Sequence, residues 1–490
     1  MFVSILLFST LVDYFVGKWI YGSSNQLKRK SLVAVSVFIN LMLLGYFKYA
    51  HFFTENINHI FGTHFHVINY FARMTNAFTG SHFEVGKILL PVGISFFTFQ
   101  TISYSVDIYR HHVKPVRNIL DFGFYVSFFP QLVSGPIVRA SEFVPQLYKE
   151  FHLSKREFGL AVFWILNGLI KKLFIGDYIA VNFIDRIFEN PYSYTGFESL
   201  MSLYGYSLQV YCDFSGYTDM AIGVAMLMGF RLPVNFNSPY KARSVGDFWK
   251  RWHMSLSSWL KDYLYIPMGG NRGGSLFSLI SISFILICLV LLTGWLWLAL
   301  VLAAAIALCL LLFRFFPVFK RSVNNNINLM LTMLLGGLWH GASWQFVIWG
   351  GLNGLGLVIY KFWRKISPWE GKNSLLARFW AIFITFNFIT FTRIWFRGSN
   401  PDISNAILYQ ISHHFNAALI PSVILSFKNV FLIMLLGYVI HWVPATAKEW
   451  YRNRFIATPI WLKAIIVVMV VFVIYQSLSS ELHPFIYFQF

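Results

Sequence analysis

Runs of about 20 apolar residues recur along the whole chain, and they constrain its fold more than any other feature. A helix needs about 20 such residues to cross the ~30 Å hydrocarbon core of a bilayer, whereas membrane β-strands are shorter and alternate. The runs lie near residues 1–20, 31–50, 88–105, 120–138, 159–183, 199–229, 276–293, 295–313, 328–360 (as two), 378–396, 423–442 and 460–478. They predict an all-α, polytopic integral membrane bundle of about 11 to 13 membrane segments.

The composition excludes an ordinary soluble domain. Hydrophobic residues make up 57% of the chain and charged residues only 12%. Soluble proteins carry about 25% charged residues. A soluble domain could not bury this much apolar surface and keep a charged exterior.

The net charge of +19 comes largely from short loops between the apolar runs. The clustered basic residues are Lys28, Arg29, Lys30, Arg110, Lys114, Arg117, Arg314, Lys320, Arg321, Lys361, Arg364 and Lys365. Short basic loops stay in the cytoplasm, so this charge indicates membrane orientation and not nucleic-acid binding. The loop 51–86 holds one arginine and no lysine, and we expect it and the N-terminus to lie outside.

The sequence shows no linker, low-complexity tract or internal repeat, so we expect residues 1–490 to form one membrane domain. The first apolar run contains Asp13 and lacks the basic start and small-residue cleavage site of a signal peptide, so we expect it to stay as a membrane helix. Cys212, Cys288 and Cys309 lie in apolar segments without a CxxC pair. Neither a disulfide framework nor a metal site is predicted.

Several charged residues interrupt the apolar runs. Asp213 and Asp219 are six residues apart and do not share a helix face, which argues against a paired-carboxylate acid/base site. We expect them to bond to backbone ends or to basic side chains. Lys171, Lys172 and Arg393 lie near the ends of apolar runs, where snorkelling to the membrane surface explains them.

The most polar internal region, residues 231–275, predicts a loop followed by an amphipathic helix on the cytoplasmic side. Asp247 can cap this helix. At 100° per residue its apolar face carries Trp249, Trp252, Leu256, Trp259, Leu260, Tyr263 and Leu264, and its polar face includes Lys250 and Arg251. His253 falls on the apolar face, where an isolated histidine is more often a core residue bonded to a carbonyl than a catalytic group.

A second histidine, His340, lies in GGLWHGASW, between strongly apolar segments. An ionisable side chain at bilayer depth costs a few kcal/mol or more, which makes it a candidate functional residue. The segment LVSGPIVR, residues 132–139, interrupts another apolar run with Gly135–Pro136. It predicts a broken or re-entrant helix that lines a cavity.

Together these segments resemble the membrane-bound O-acyltransferase superfamily, and within it the branch of alginate and polysaccharide O-acetyltransferases. The resemblance rests on DFWKRWHMSLSSWLKDYLYIPMGGNRGG and LWHGASW, and extends to LLGYFKY (43–49), LPVGISFFTFQTISYSVDIYR (90–110), FFPQLVSGPIVR (128–139), YCDFSGYTDMAIG (211–223) and the final FIYFQF. The D-alanyl transferases of teichoic acid modification share the RWH and WHG elements. The resemblance covers most of the chain.

The resemblance implies a bundle around a central tunnel in a bacterial cytoplasmic (inner) membrane. His340 matches the family histidine that is proposed to activate the acceptor hydroxyl, and His253 matches the second family histidine, which supports the site. The acyl group is taken from the cytoplasmic side and delivered outside, with periplasmic acetyltransferase or acceptor proteins of a polysaccharide modification system as partners. Many relatives carry histidine in a WGxxHG element, where this chain has Asn353.

The chemistry of O-acyl transfer fits these residues. A neutral imidazole can take the hydroxyl proton, a gain of ~10²–10⁴-fold. The oxyanion needs a donor, and Trp339, Trp344, Asn353 or a backbone N–H near Gly341 can supply it. Trp252 and Asp247 would support the site, while Lys250, Arg251 and Arg272 can attract the phosphates of acyl-CoA (acetyl-CoA) or another acyl thioester, the expected donor substrate. No tightly bound cofactor and no metal is expected.

Three alternatives stay open on the sequence. Interrupted helices and buried polar residues also suit a transporter or flippase, although paired short segments in two related halves are not found. A lipid-directed acyltransferase would keep His340 and change the acceptor. A scaffold subunit of a polysaccharide export complex would make both histidines dispensable.

Overall fold

The computed structural model describes residues 2–372, 374–398 and 400–477, and these form helices and loops without a β-strand. The final FIYFQF, which carries part of the family resemblance, lies outside the described residues. The first twelve α-helices are α1 (Phe2–Gly22), α2 (Gln26–Leu44), α3 (Ala50–Phe61), α4 (Tyr70–Thr79), α5 (Ile94–Tyr109), α6 (Ile119–Ser127), α7 (Phe129–Leu132), α8 (Ala140–Phe143), α9 (Lys155–Leu169), α10 (Asp185–Glu189), α11 (Gly196–Leu227) and α12 (Val245–Trp249). The others are α13 (Met254–Leu260), α14 (Leu276–Thr293), α15 (Leu296–Phe315), α16 (Pro317–His340), α17 (Trp344–Ile366), α18 (Leu375–Arg397), α19 (Pro401–His413), α20 (Ile420–Ser426), α21 (Lys428–Trp442), α22 (Ala445–Ala457) and α23 (Ile460–Ser477). The all-α prediction is confirmed.

Eight helical segments of the described chain are long and apolar enough to cross a membrane, or nine if the bent pair α20–α21 counts as one span. They are Val3–Gly22, Gln26–Phe61, Lys155–Glu189, Leu276–Thr293, Leu296–Phe315, Trp344–Ile366, Leu375–Arg397 and Ile460–Ser477. The sequence runs suggested more segments. The run 88–105 forms only the 16-residue α5, and the run 120–138 is split between α6 and α7. A polytopic helical membrane protein is confirmed.

The described residues form two compact units. Of the described residues, the first unit comprises 2–127, 139–141 and 258–359, and the second comprises 128–138, 142–257, 360–372, 374–398 and 400–477. The first unit buries Asp13 of α1, which accepts hydrogen bonds from Ser36 Oγ (2.5 Å) and Asn40 Nδ2 (2.7 Å) of α2. These donors explain how the carboxylate lies inside the predicted span without leaving its oxygens unsatisfied.

In the second unit, α9 and α11 pack so closely that their glycines lie against backbone. A Cβ atom added to Gly216 would lie 2.8 Å from the carbonyl oxygen of Gly168. Close backbone approach through small residues is the usual way that membrane helices associate, because lipid removes the hydrophobic drive between them.

The two carboxylates of α11, Asp213 and Asp219, pair with lysines. The sequence analysis left open whether they bond to basic side chains or to backbone ends. Lys172 Nζ lies 2.5 Å from Asp213 Oδ1 and 2.8 Å from Asp177 Oδ1, and Lys171 Nζ lies 2.6 Å from Asp219 Oδ2. Snorkelling was therefore the wrong interpretation of the two lysines, because their charges are held inside the unit by carboxylates.

Candidate functional site

His340 is the last residue of α16 and is 3% exposed. Its ring meets the rings of Trp339 and Trp349 edge-on, with centroid distances of 5.0 and 5.1 Å. Both tryptophans are buried. The histidine predicted from GGLWHGASW therefore lies in an aromatic pocket of the first unit, at the point where the helix ends.

Two side chains from the segment after α2 hold the end of α16. Tyr49 Oη donates to the carbonyl of Leu338 (2.8 Å), and Lys48 Nζ donates to the carbonyls of Trp339 (2.6 Å) and His340 (3.0 Å). The last carbonyls of a helix have no partner within it, and they carry its negative partial charge. The Lys48 amino group and the Tyr49 hydroxyl supply donors to these carbonyls, and so they position the backbone of His340.

Gly341 lets the chain leave α16 directly after the histidine. Its backbone is extended, and a Cβ atom there would lie 2.0 Å from the ring of Phe346. Two further glycines bring α16 and α17 together: a Cβ on Gly337 would lie 2.4 Å from Phe346 O, and one on Gly350 would lie 2.4 Å from Met333 O. The glycine of the WHG element is thus required by packing.

The side chains predicted to stabilise an oxyanion already donate within the first unit. Trp339 Nε1 donates to Ser95 O (3.3 Å), and Trp344 Nε1 donates to Asn56 Oδ1 (2.9 Å). Asn353 is buried, and its Nδ2 donates to Trp349 O (2.9 Å) one turn earlier in α17. Each indole has a single N–H. Trp339 and Trp344 would have to give up these bonds to serve as oxyanion donors, which makes the backbone near Gly341 the simpler candidate.

His253 lies in the second unit, fully buried, in a break between α12 and α13. Its φ of 44° is left-handed, a conformation that costs a non-glycine residue about 1–2 kcal/mol. The continuous amphipathic helix predicted after Asp247 is therefore wrong: the chain turns at 250–253 so that the histidine ring can enter the interior. The ring meets Phe214 edge-on, with 4.6 Å between centroids.

Asn235 organises the turn that contains His253. Its Oδ1 accepts from Ser255 N (3.0 Å) and Ser255 Oγ (2.9 Å), and it lies 3.3 Å from His253 Nδ1. Ser255 Oγ in turn accepts from the backbone N–H of Ile137, in the interrupted segment SGPIVR. Burial lowers the pKa of His253 to about 3, so its ring is neutral at physiological pH.

Trp252 is buried and packs against a charged group that the sequence analysis placed at a membrane surface. The guanidinium carbon of Arg393 lies 4.5 Å from the centre of a Trp252 ring, and Arg393 is 1% exposed. Snorkelling was the wrong interpretation of Arg393. A cation over an indole face gains from the ring quadrupole, and the gain is greater away from water.

The prediction that Asp247 caps the helix is wrong. Ser244 is the N-cap, with its hydroxyl accepting from Asp247 N (3.1 Å), while Asp247 Oδ1 pairs with Arg251 Nε at 2.9 Å. Lys250 of the second unit and Arg272 of the first are exposed. The proposed role of Lys250, Arg251 and Arg272 toward the donor phosphates stays a prediction.

The predicted site residues fall into two groups. The first unit contains His340, Trp339, Gly341, Asn353, Trp344 and Arg272, and of these the Trp339 ring contacts the His340 ring. The second unit contains His253, Trp252, Asp247, Lys250 and Arg251. Two residues that hold the histidines, Lys48 and Asn235, are not among the residues predicted from the sequence. The signal for Lys48 was a lone lysine within the apolar LLGYFKY, whereas Asn235 looked like any loop asparagine. No cluster of three or more metal-ligating side chains occurs in the described parts of the chain.

Comparison with known proteins connects this arrangement to a family. Residues 113–319 match the family described as MBOAT, membrane-bound O-acyltransferase. The chain is 32% identical over 433 residues to a peptidoglycan O-acetyltransferase of Helicobacter pylori, covering 83% of this chain and 69% of that protein. It is 37% identical over 385 residues to a protein named probable alginate O-acetylase AlgI of Azotobacter vinelandii, covering 76% and 64% respectively.

A more distant similarity links the chain to a teichoic acid D-alanyltransferase of Bacillus subtilis, at 29% identity over 315 residues and 61% of this chain. The chain thus spans about two thirds of the length of these relatives. The family match and the first relative agree with the resemblance carried by the RWH and WHG elements. The chain belongs to the membrane-bound O-acyltransferase family.

Proposed function

We propose that this protein is an O-acetyltransferase that moves an acetyl group across the membrane to hydroxyls of an exported polysaccharide. The observation that carries this proposal is His340, buried at the end of α16 with its backbone held by Lys48 and Tyr49. A general base must be fixed in place before the substrate hydroxyl arrives, because misplacement reduces the rate steeply. The bonds to the last carbonyls of α16 supply this fixation for the backbone of His340.

In the proposed reaction the His340 imidazole takes the proton of the acceptor hydroxyl. The hydroxyl oxygen then bonds to the thioester carbonyl carbon, and the carbonyl oxygen becomes the oxyanion. When the C–S bond breaks, the ester is released and the imidazolium returns its proton to the thiolate. His253, in the second unit, is a neutral ring that lies beside Asn235 and in this proposal does not carry the proton.

The donor in this proposal is acetyl-CoA or another cytoplasmic acyl thioester. The relatives named as peptidoglycan and alginate O-acetylating proteins suggest a polysaccharide acceptor, reached directly or through a periplasmic acceptor protein. The protein would then lie in the bacterial inner membrane with its N-terminus outside. In this proposal the thioester donor reaches the site from the cytoplasm and the acceptor reaches it from outside.

The test is the base-labile acetate content of exported polysaccharide from a deletion strain that carries wild type or His340→Ala. We expect His340→Ala to lose nearly all ester, since removing a general base costs ~10²–10⁴-fold in rate. His413→Ala is the matched control, because His413 is exposed in α19. Membrane levels of each variant are measured in parallel.

Wild-type ester in His340→Ala at normal protein level would contradict the general-base role and favour a scaffold subunit. An unchanged ester content in the deletion strain itself would contradict the polysaccharide acceptor. Ester on membrane lipids in that case would identify a lipid-directed acyltransferase.

A further inference from the structure

The short helix α4 of the first unit has an exposed apolar face that the proposed reaction does not use. At 100° per residue, Tyr70, Met74 and Phe78 fall within a sector of about 80°. Their exposed fractions are 56%, 58% and 85%, whereas Ala72, on the other side of the helix, is buried. Three large apolar side chains on one exposed face indicate a surface that contacts a membrane or another molecule.

The start of α4 is fixed to the membrane span that begins with α2. Tyr46 Oη accepts a hydrogen bond from Tyr70 N (2.9 Å) and donates one to Ile68 O (3.2 Å). The ring of Phe71 lies 5.8 Å from the ring of Tyr46 and 5.4 Å from the ring of Phe47, measured between centroids. The first turn of α4 therefore lies at the level of residues 46–47 of this span.

This level corresponds to one edge of the hydrocarbon core. The basic residues 28–30 mark the membrane surface at the start of the span. The distance along a helix from Lys28 to Tyr46 is ~27 Å at ~1.5 Å per residue, close to the ~30 Å thickness of the core. Tyrosine is enriched at such edges. A bilayer around this span therefore has α4 at the edge opposite the basic residues.

The polar side chains of α4 form hydrogen bonds within the first unit. Thr75 Oγ1 donates to Phe71 O (2.8 Å), and Thr79 Oγ1 donates to Thr75 O (2.7 Å). Asn76 Nδ2 donates to Phe83 O (2.8 Å), and Phe83 N donates to Asn76 Oδ1 (2.8 Å). A helix whose polar groups already have partners can enter a region with little water at low cost.

We propose that α4 inserts its apolar face into the membrane leaflet opposite residues 28–30, so that phospholipid is the partner of this surface. An interfacial helix lies in the plane of the membrane, with its apolar side chains about 5–10 Å into the boundary between headgroups and acyl chains. Arg73 is exposed and falls outside the apolar sector, so its guanidinium can bind a headgroup phosphate. The level of α4 along the span favours lipid over a protein that docks from the aqueous phase.

Insertion of α4 would also restrain the segment that caps α16. Residues 45–49 form a π-helical segment in which Phe47 packs against α4. In the same segment, Lys48 and Tyr49 donate to the last carbonyls of α16, around His340. Contact between α4 and lipid would thereby help to fix the backbone of His340. This consequence rests on the proposed function, whereas insertion itself does not.

The test of insertion is the depth of nitroxide spin labels in the full chain, reconstituted in phosphatidylcholine–phosphatidylglycerol liposomes. Single cysteines are placed by Met74→Cys, Phe78→Cys or Thr79→Cys in a chain without its three native cysteines. Power saturation compares oxygen, which partitions into lipid, with a nickel chelate, which stays in water. We expect the labels at positions 74 and 78 about 5–10 Å below the headgroup phosphates.

Thr79→Cys is the matched control, because Thr79 is exposed and is turned about 100° away from its neighbour Phe78. Its label should stay in contact with the nickel chelate. Contact of the labels at positions 74 and 78 with the nickel chelate would overturn the proposal, since the face would then be in water. Shielding of these labels from both reagents would also overturn it, because a second copy of the chain would then cover the face.

The consequence for His340 is tested by the base-labile acetate of exported polysaccharide. We expect Phe78→Asp to lose about tenfold or more of the ester, and Thr79→Asp to keep it, because small displacements of a catalytic group reduce the rate steeply. Equal ester in both variants would contradict the link between α4 and His340. Absence of ester in the strain with the wild-type chain would contradict the proposed function, while the label depths would still decide insertion.

Discussion

At the scale of single residues, the candidate site depends on side chains that satisfy backbone groups. Lys48 and Tyr49 donate hydrogen bonds to the carbonyls of Leu338, Trp339 and His340, which water would satisfy at an exposed helix end. Asn235 does the same for the turn at His253. Residues far away in the sequence help to position each histidine. We therefore expect substitution of these residues to lower the rate of acyl transfer nearly as much as substitution of the histidines.

We predict that Lys48→Met reduces the rate of acyl transfer while the protein still accumulates in the membrane. The change leaves the carbonyls of Trp339 and His340 without their donor, at a cost of about 1–3 kcal/mol per buried group. The measurement is ester formation per unit of membrane protein, with an expected loss of about tenfold or more.

Lys30→Met serves as the control for Lys48→Met, because Lys30 is an exposed lysine of α2. Lys48→Arg should recover part of the rate, since a guanidinium keeps the charge and can donate to the same carbonyls. Equal activity of Lys48→Met and Lys30→Met would show that the cap on α16 does not position His340.

At the scale of elements, α16 and α17 form a hairpin in which glycines replace side chains at the contact. Gly337 and Gly350 lie opposite each other, and a Cβ on either would meet backbone of the other helix at 2.4 Å. This approach places the end of α16 beside Trp349. The geometry around His340 is therefore a property of the helix pair.

We predict that Gly350→Ala destabilises the protein and that Gly351→Ala does not. A Cβ on Gly350 would lie 2.4 Å from Met333 O, whereas one on Gly351 meets only Leu334 Cδ2 at 3.4 Å. Overpacking a tight contact costs about 1–3 kcal/mol, while alanine in an unobstructed helix position gains up to ~1 kcal/mol over glycine.

Thermal unfolding of both variants in the same detergent provides the measurement for this glycine pair. The midpoint should fall for Gly350→Ala and hold or rise for Gly351→Ala. If the two midpoints shifted together, helix propensity would explain the shift. The close approach of α16 and α17 would then not limit the residue at position 350.

At the scale of the whole molecule, charge and span length decide how the chain lies in the membrane. The basic loops and the lysine-free loop 51–86 predict opposite sides. The structure adds that α3 and α4 occupy much of that loop, with residues 62–69 exposed or half-buried between them apart from the buried Asn69.

We predict that a cysteine at position 64 reacts with a membrane-impermeant maleimide in intact cells, and that one at position 114 reacts only after lysis. His64 and Lys114 are both exposed. The background is a chain in which Cys212, Cys288 and Cys309 are replaced by serine. Labelling of Lys114→Cys but not His64→Cys in intact cells would reverse the proposed orientation.

The sequence alone determined the membrane class and most of the long apolar helices, and it identified His340 as a candidate functional residue. These follow from local properties: about 20 apolar residues are sufficient to define a span, and one histidine among them carries its own cost. Asp247, by contrast, was taken for the helix cap although Ser244 is the better-placed acceptor. Local sequence rules identify that a helix begins near residue 245, but they are less able to tell which of two neighbouring polar residues caps it.

Only the tertiary structure decided which residues surround each of the two histidines within its own unit. Lys48 reaches carbonyls almost 300 residues later in the chain, and Arg393 lies over Trp252 instead of at the membrane surface. The break at His253 overrides a regular apolar periodicity, because burying the ring and bonding Ser255 to Asn235 offset the left-handed backbone. Periodicity predicts which face of a helix is apolar. The hydrogen-bond partners of buried polar groups depend on which residues lie close in three dimensions, and the sequence alone does not give this.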